Sequence, residues 1–244
     1  MRVLSLLLLL ILPCSPLLLL SACATTSAPG PHEELQFQRL QKFTCSSDVN
    51  NIFRLTVLRD DALLGAFDLE QVERSDGNWA VILRDESMDE LIAWEFTQAM
   101  APRGVLQAEF GPYRIAGYGD RIEVDGRNFR LGPGEFACLV AGRIPGNWLN
   151  NSGVQWDRVA RRFVRKEVSR TIRFNTLSGE SLGDSVRDSI EIEITWPSSW
   201  FSSDRIRVLV SPKAPLKSSG GTLFAPTRGS LLGPYGVFIK WVEV

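Results

Sequence analysis

Histidine is almost absent from this chain. Its 244 residues hold one, His32, and that one lies in a Ser/Pro/Gly-rich stretch ahead of any regular pattern. Ser–His–Asp or Cys–His catalysis needs an imidazole beside the nucleophile, so it has no histidine to use within a folded domain. A His-based zinc site is excluded on the same count, and the four cysteines show no C-x-x-C spacing. Carboxylate or lysine chemistry has no motif to stand on. The chain therefore reads as a non-enzyme with no cofactor and no metal. An excess of one charge is lacking too: 27 Lys and Arg face 28 Asp and Glu. A net charge of -1 leaves no basic excess to attract nucleic acid. Tyrosine is scarce, three residues against seven Trp and thirteen Phe. The aromatic set is thus weighted toward apolar rings, as suits a large core or an apolar cavity.

What is present begins with an apolar run. Met1-Arg2 is a minimal positive region, and Val3 to Leu20 is almost unbroken in its hydrophobicity but contains Pro13 and Pro16. A spanning helix needs ~20 consecutive apolar residues and is disrupted by two internal prolines, so the run reads as a secretory signal. It ends in Leu20-Ser21-Ala22-Cys23. This resembles the bacterial lipobox, an aliphatic residue and two small ones before an obligatory cysteine; the alternative is an ordinary signal with generic cleavage. The resemblance implies a lipoprotein signal peptide over residues 1–22 and cleavage before Cys23. It further implies diacylglycerol on the Cys23 sulfur and a further acyl chain, palmitate or similar, on its amino group. Residues 23–34 then read as an acylated flexible tether, and 35–244 as a single domain. Ala24 rather than Asp follows the cysteine. By the sorting rule of enteric bacteria this implies a lipid anchor in the outer membrane with the domain facing the periplasm, the inner membrane being the alternative.

With Cys14 discarded and Cys23 acylated, Cys45 and Cys138 remain. In an oxidising compartment they either pair or stand as two buried free thiols, and nothing in the sequence fixes their distance. A bridge closing so long a loop would stabilise by on the order of 4 kcal/mol.

The stretch from Glu33 to Phe43 has the spacing of a short amphipathic helix, and after it period two dominates. Phe53, Leu55 and Val57 alternate with Arg54 and Thr56; Gly65, Phe67 and Leu69 alternate with Ala66 and Asp68; a turn at Ser75–Asn78 leads into Trp79, Val81 and Leu83. Further strands are expected at Glu90–Phe96, Pro112–Gly119 and Arg121–Leu131, the last with the hairpin pair Asp125-Gly126. In the C-terminal part Ile190, Ile192 and Ile194 alternate with Glu191, Glu193 and Thr195. About nine or ten strands joined by short polar turns imply a mainly β fold with a few helices, an antiparallel meander rather than a parallel α/β sheet. One segment breaks the pattern: "GPGEFACLVAGRIPGNWL" (Gly132 to Leu149) reads as a short helix, either a plug against the sheet or a movable lid over a cavity. The Arg-rich run Asp157 to Arg170 reads either as a solvated strand face or as a contact for lipid phosphates.

Lipobox, short N-terminal helix, antiparallel meander and mid-chain helical turn together resemble the LolA/LolB superfamily. In it LolA is the periplasmic lipoprotein carrier and LolB the outer-membrane lipoprotein that receives the cargo. The segment "EFACLVAGRIPGNWL" is similar to the LolB stretch where a leucine-rich helix precedes Arg-aliphatic-Pro and a Trp-Leu pair. Those positions are here Leu139, Arg143, Ile144, Pro145, Trp148 and Leu149. Trp79 to Phe96 resembles the LolB strand-loop-strand whose tip carries an exposed, membrane-inserting apolar residue, which would be Met88. Extra length lies around Asn175 to Asp188 and Pro212 to Pro234. The resemblance implies a curved antiparallel sheet forming an incomplete β-barrel, closed by the short helical lid or plug around a cavity for acyl chains. Cavity candidates are Phe53, Leu55, Val57, Phe67, Leu69, Trp79, Val81, Leu83, Trp94 and Phe96, with Phe136, Leu139 and Trp148 from the helical segment. The implied function is binding the acyl chains of lipids or lipoproteins, in lipoprotein localisation to the outer membrane. The alternative is an envelope structural or assembly lipoprotein with a filled core. The implied partners are the membrane through Cys23, lipoproteins and a periplasmic lipoprotein carrier, with the chain itself a monomer.

Overall fold

The alternation of Ile190, Ile192 and Ile194 with charged residues marks a strand buried on one face. The three isoleucines are at most 1% exposed, while Glu191 bridges to Arg162 and Arg207, and Glu193 to Arg173. The same pattern recurs along the chain. The computed structural model describes residues 26–27, 29–45, 51–73, 79–96, 106–110, 113–118, 121–124, 126–150, 153–182, 185–199, 202–218 and 221–244. The signal run, the lipobox and Cys23 lie outside them, as does the turn expected at Ser75–Asn78.

The first elements are β1 (Thr26–Ser27), α1 (Pro31–Gln41), β2 (Asn51–Arg59), β3 (Ala62–Glu73), β4 (Trp79–Arg84) and β5 (Glu90–Phe96). Then follow β6 (Leu106–Phe110), β7 (Tyr113–Gly117), β8 (Ile122–Val124), β9 (Arg127–Phe129) and α2 (Pro133–Val140), with a 3-10 turn at Gly146–Leu149. The C-terminal part holds β10 (Val154–Asp157), β11 (Arg162–Lys166), β12 (Thr171–Leu182), β13 (Ser185–Pro197), β14 (Ser203–Ser211), β15 (Ala214–Ser218), β16 (Gly221–Ala225), β17 (Arg228–Leu232) and β18 (Val237–Glu243). Twelve strands form one open sheet in the order β1-β10-β11-β12-β13-β14-β17-β18-β2-β3-β4-β5. β6 to β9 form a four-stranded meander, and β15-β16 a separate hairpin. The pairings are antiparallel. The eighteen strands among the described residues exceed the nine or ten read from the sequence. The surplus is in pieces such as β1 and β10, two and four residues long and too short to display a period.

Regular structure is found within the stretch read as tether. Thr26 and Ser27, within the stretch read as tether, pair with Asp157 and Trp156 of β10. α1 starts at Pro31 rather than Glu33, because proline suits the first helical position and Glu33 and Glu34 face the positive end of the helix dipole.

The inner face of the large sheet is apolar. Ile172 and Phe174 of β12 stand beside Ile194 and Ile192 of β13, which stand beside Ile206 and Val208 of β14. All six are at most 1% exposed. At β17 the face is interrupted by Gly229, opposite Trp241 of β18. A Cβ there would overlap the Trp241 indole and press on the Leu209 carbonyl, so glycine lets the ring lie down on its neighbour.

α2 packs into this interior. Pro133 opens it, and Glu135 reaches back to accept the N–H of Gly132 at 2.9 Å, the half of a capping box that a glycine N-cap allows. Phe136 to Val140 are all buried. The helix stops at Gly142, in the left-handed region at φ +73°, where the Arg143 N–H returns to the Cys138 carbonyl at 2.9 Å. Two devices hold α2. Cys138 is joined to Cys45 by a disulfide with its Cα atoms 5.7 Å apart, alongside a parallel bridge in which Cys45 N–H donates to Ile144 O and Ile144 N–H to Phe43 O. On the other side Arg170, entering β12, donates to both carboxylate oxygens of Glu135 (2.7 and 2.5 Å), to the Arg130 carbonyl (2.7 Å) and to Glu167 (2.7 Å). Glu135 also accepts the Trp148 indole N–H at 2.8 Å, and Arg165 donates to Glu167 at 3.0 Å. Burial alone would lower the Arg170 pKa, but hydrogen bonds to Glu135 and Glu167, and their charges, outweigh it and raise it further. Burial likewise tends to raise Glu167, yet Arg170 and then Arg165 hold its carboxyl below the ordinary value. The Arg-rich run is therefore not a uniformly solvated face: its last arginine is 6% exposed and anchors a helix.

Candidate functional site

Residues that share a face in β2, β3, β4 and β18 are brought side by side by register. Leu55 stands opposite Phe67 and Trp241, Val57 opposite Gly65 and Ile239, and Leu69 opposite Phe53 and Leu83. One end of this wall is covered by α2, whose Ala137 carbonyl accepts the Gln71 side-chain amide at 2.7 Å. Beyond it, toward the β2–β3 and β17–β18 turns, the interior is not filled. A cavity of about 370 Å³ remains, within the usual ligand-pocket scale of roughly 300–1,000 Å³. Its sheet wall is Leu55, Val57, Leu64, Phe67, Leu69 and Leu83 on one side and Ile206, Leu231, Val237 and Ile239 on the other. Ile122, Val124 and Phe129 of the β8–β9 hairpin, with Leu131 and Phe136 at the start of α2, cover it.

The opening can be located from exposure. Leu64 and Tyr235 are 38% and 41% exposed, whereas Leu55, Leu69, Leu131 and Leu231 are nearly fully buried. Arg59 and Arg127 are the charged lining residues among those described, and both belong to the exposed end. Arg59 pairs in register with Val237. The Arg127 guanidinium lies over the Tyr235 ring, 4.3 Å from its centroid, and Phe129 meets that ring edge-on at 6.2 Å. The Tyr235 hydroxyl donates to Asp204 at 3.0 Å; burial and then this bond raise its pKa.

Of the residues expected at a cavity, Leu55, Val57, Phe67, Leu69, Leu83 and Phe136 line it. Phe53, Val81, Leu139 and Trp148 do not: each is 0% exposed and belongs to the filled core. They lie at the end that α2 and the Pro145–Leu149 turn occupy, so their partners are protein atoms. Trp79, Trp94 and Phe96 fall on β4 and β5, and their side chains lie outside what is described. The C-terminal lining residues and the hairpin Ile122–Phe129 were missed. Their alternation was visible, but no local signal says which apolar positions meet empty space. Met88 is 56% exposed at a turn where Asp85 accepts the N–H groups of Ser87 and Asp89, with Glu86, Asp89 and Glu90 exposed around it.

Among the described residues no cluster of His, Cys, Asp and Glu could hold a metal ion, and no helix is long and apolar enough to cross a membrane. No family model and no curated protein matches the chain. Among solved structures, "Crystal structure of MucB in complex with MucA(peri)" is similar at 11% identity, over 86% of this chain and 92% of that one, with a TM-score of 0.19. A superposition that loose carries no argument.

Proposed function

We propose that this chain is a lipid-anchored envelope protein of LolA/LolB type that binds acyl chains of lipids or lipoproteins, facing the periplasm from the outer membrane. In this reading the large sheet acts as an incomplete barrel, α2 as the fixed plug at one end, and the β8–β9 hairpin as the cover. The observation that carries the reading is the apolar cavity, exposed at its Leu64–Tyr235 end. An acyl chain gains ~0.8 kcal/mol per methylene removed from water, so a dry, preformed volume binds it without chemistry. The buried ion pair and disulfide, which tie α2 down on both sides, support a fixed plug rather than a movable lid.

Filling the cavity tests this. Val57→Trp should obstruct the space that about four methylenes need and weaken binding of a fluorescent fatty acid roughly a hundredfold. A wild-type chain that takes up no such probe would instead favour the structural or assembly role. The anchor has its own test. Replacing Cys23 by Ala should stop acylation and signal removal, leaving a heavier chain that takes up no radiolabelled palmitate; processing and labelling that continue unchanged would refute lipidation at Cys23.

A further inference from the structure

The cavity's lining is mixed in one respect: its charges have one sign. Arg59 and Arg127 are charged, and no carboxylate lines it among the described residues. Both arginines are at the exposed end, so neither costs the burial of an unpaired charge, yet both border a low-dielectric interior where a charge-assisted bond is stronger than in open water. Neither is firmly engaged. Arg59 has its carboxylate neighbour Asp60 at 4.0 Å, and that side chain is 78% exposed. Arg127 lies against the face of Tyr235 rather than against an anion among the described residues. Near this end Asp204 accepts the Tyr235 hydroxyl, and Asp60 and Asp61 stand exposed in the β2–β3 turn.

We infer that the site takes an amphiphile with one acyl chain and an anionic head, its chain in the cavity and its carboxylate or phosphate at Arg59 and Arg127. This rests on the reading of the cavity as an acyl site. Size argues for one chain: about 370 Å³ is at the low end of ligand pockets, well short of the two or three chains of a bacterial lipoprotein. Head chemistry follows from the guanidinium, a planar fork of donors matched to carboxylate and phosphate oxygens alike. Tyr235 holds the Arg127 fork by its flat face, which leaves the N–H edges free to donate.

The full chain can be labelled with three photoreactive probes of equal chain length: a fatty acid, a lysophosphatidic acid and a neutral monoacylglycerol. Crosslinked peptides are then mapped by mass spectrometry, which separates labelling at Val57, Phe67 or Ile239 from labelling elsewhere. The acidic probes should label the cavity peptides about tenfold more efficiently than the neutral one. In Arg59→Gln/Arg127→Gln that preference should vanish while neutral labelling persists, and Arg59→Lys/Arg127→Lys should keep part of it. A preference for one acidic probe alone supports the inference and identifies the head. Equal cavity labelling by acidic and neutral probes overturns the anionic head but leaves the acyl site standing. No cavity labelling by any probe overturns the acyl site itself.

Discussion

Removing the Cys45–Cys138 bridge, by reduction or by a paired replacement with alanine, is expected to lower stability by roughly 4 kcal/mol. The estimate follows from the 93-residue separation of the two cysteines, which closes one of the longer loops a single domain offers. For a domain of this size that corresponds to a fall of about 8–16 °C in melting temperature, measured by thermal unfolding with and without reductant. Native contacts support the bond rather than depend on it: the Thr44–Ile144 bridge already aligns the end of α1 with the turn after α2. The folded state should therefore survive reduction at low temperature and lose its margin on heating. An unchanged melting temperature would show that the constraint does not act on the unfolded chain.

Breaking the Arg170 network should have a comparable effect. Arg170→Met leaves the Glu135 carboxylate without its cation and Glu167 with Arg165 alone, and a broken buried pair typically costs about 3–5 kcal/mol. Glu135 would still cap Gly132 and hold Trp148, so the helix should remain but drift from the sheet. Urea unfolding reads the loss directly, and a cost below about 1 kcal/mol would mean the pair is already solvated. The network also predicts acid sensitivity. Glu167 has a folded-state pKa below its unfolded one, so it contributes stability above the ordinary carboxylate range of about 4.3 and loses it as pH falls through the depressed value. Arg170→Met should flatten that part of the stability–pH curve.

Local patterning made the strands legible because each is half-buried: Ile190 to Thr195 alternates in sequence as it alternates in space. The helix at Pro133 was legible from its Gly-Pro start and its apolar spacing. What could not be read was anything set by partners far along the chain. Phe53 and Val57 are identical in pattern, and only the placement of α2 over one end makes the first a core residue and the second a cavity wall. Arg170 looked like one more cation in a basic run. Its role depends on Glu135, thirty-five residues away. Cys45 and Cys138 were visible as the remaining pair, but their proximity comes from the Thr44–Ile144 bridge, which joins the segments that follow α1 and α2. The hairpin β15–β16 falls within the extra length noted around Pro212 to Pro234, and it adds no strand to the large sheet.

The sheet order carries a consequence for how the molecule is made. β2, one of the first strands, has β18, the last, as a direct neighbour, with Val57 against Ile239 and Leu55 against Trp241. The seam in the middle of the sheet therefore waits for β18 to emerge, and until then β2 presents an open edge and half a cavity. Such distant pairings slow folding, and unpaired edges invite association with other chains. The nascent form should depend on a chaperone more than the finished one does, and a truncation of β18 should aggregate rather than merely lose stability.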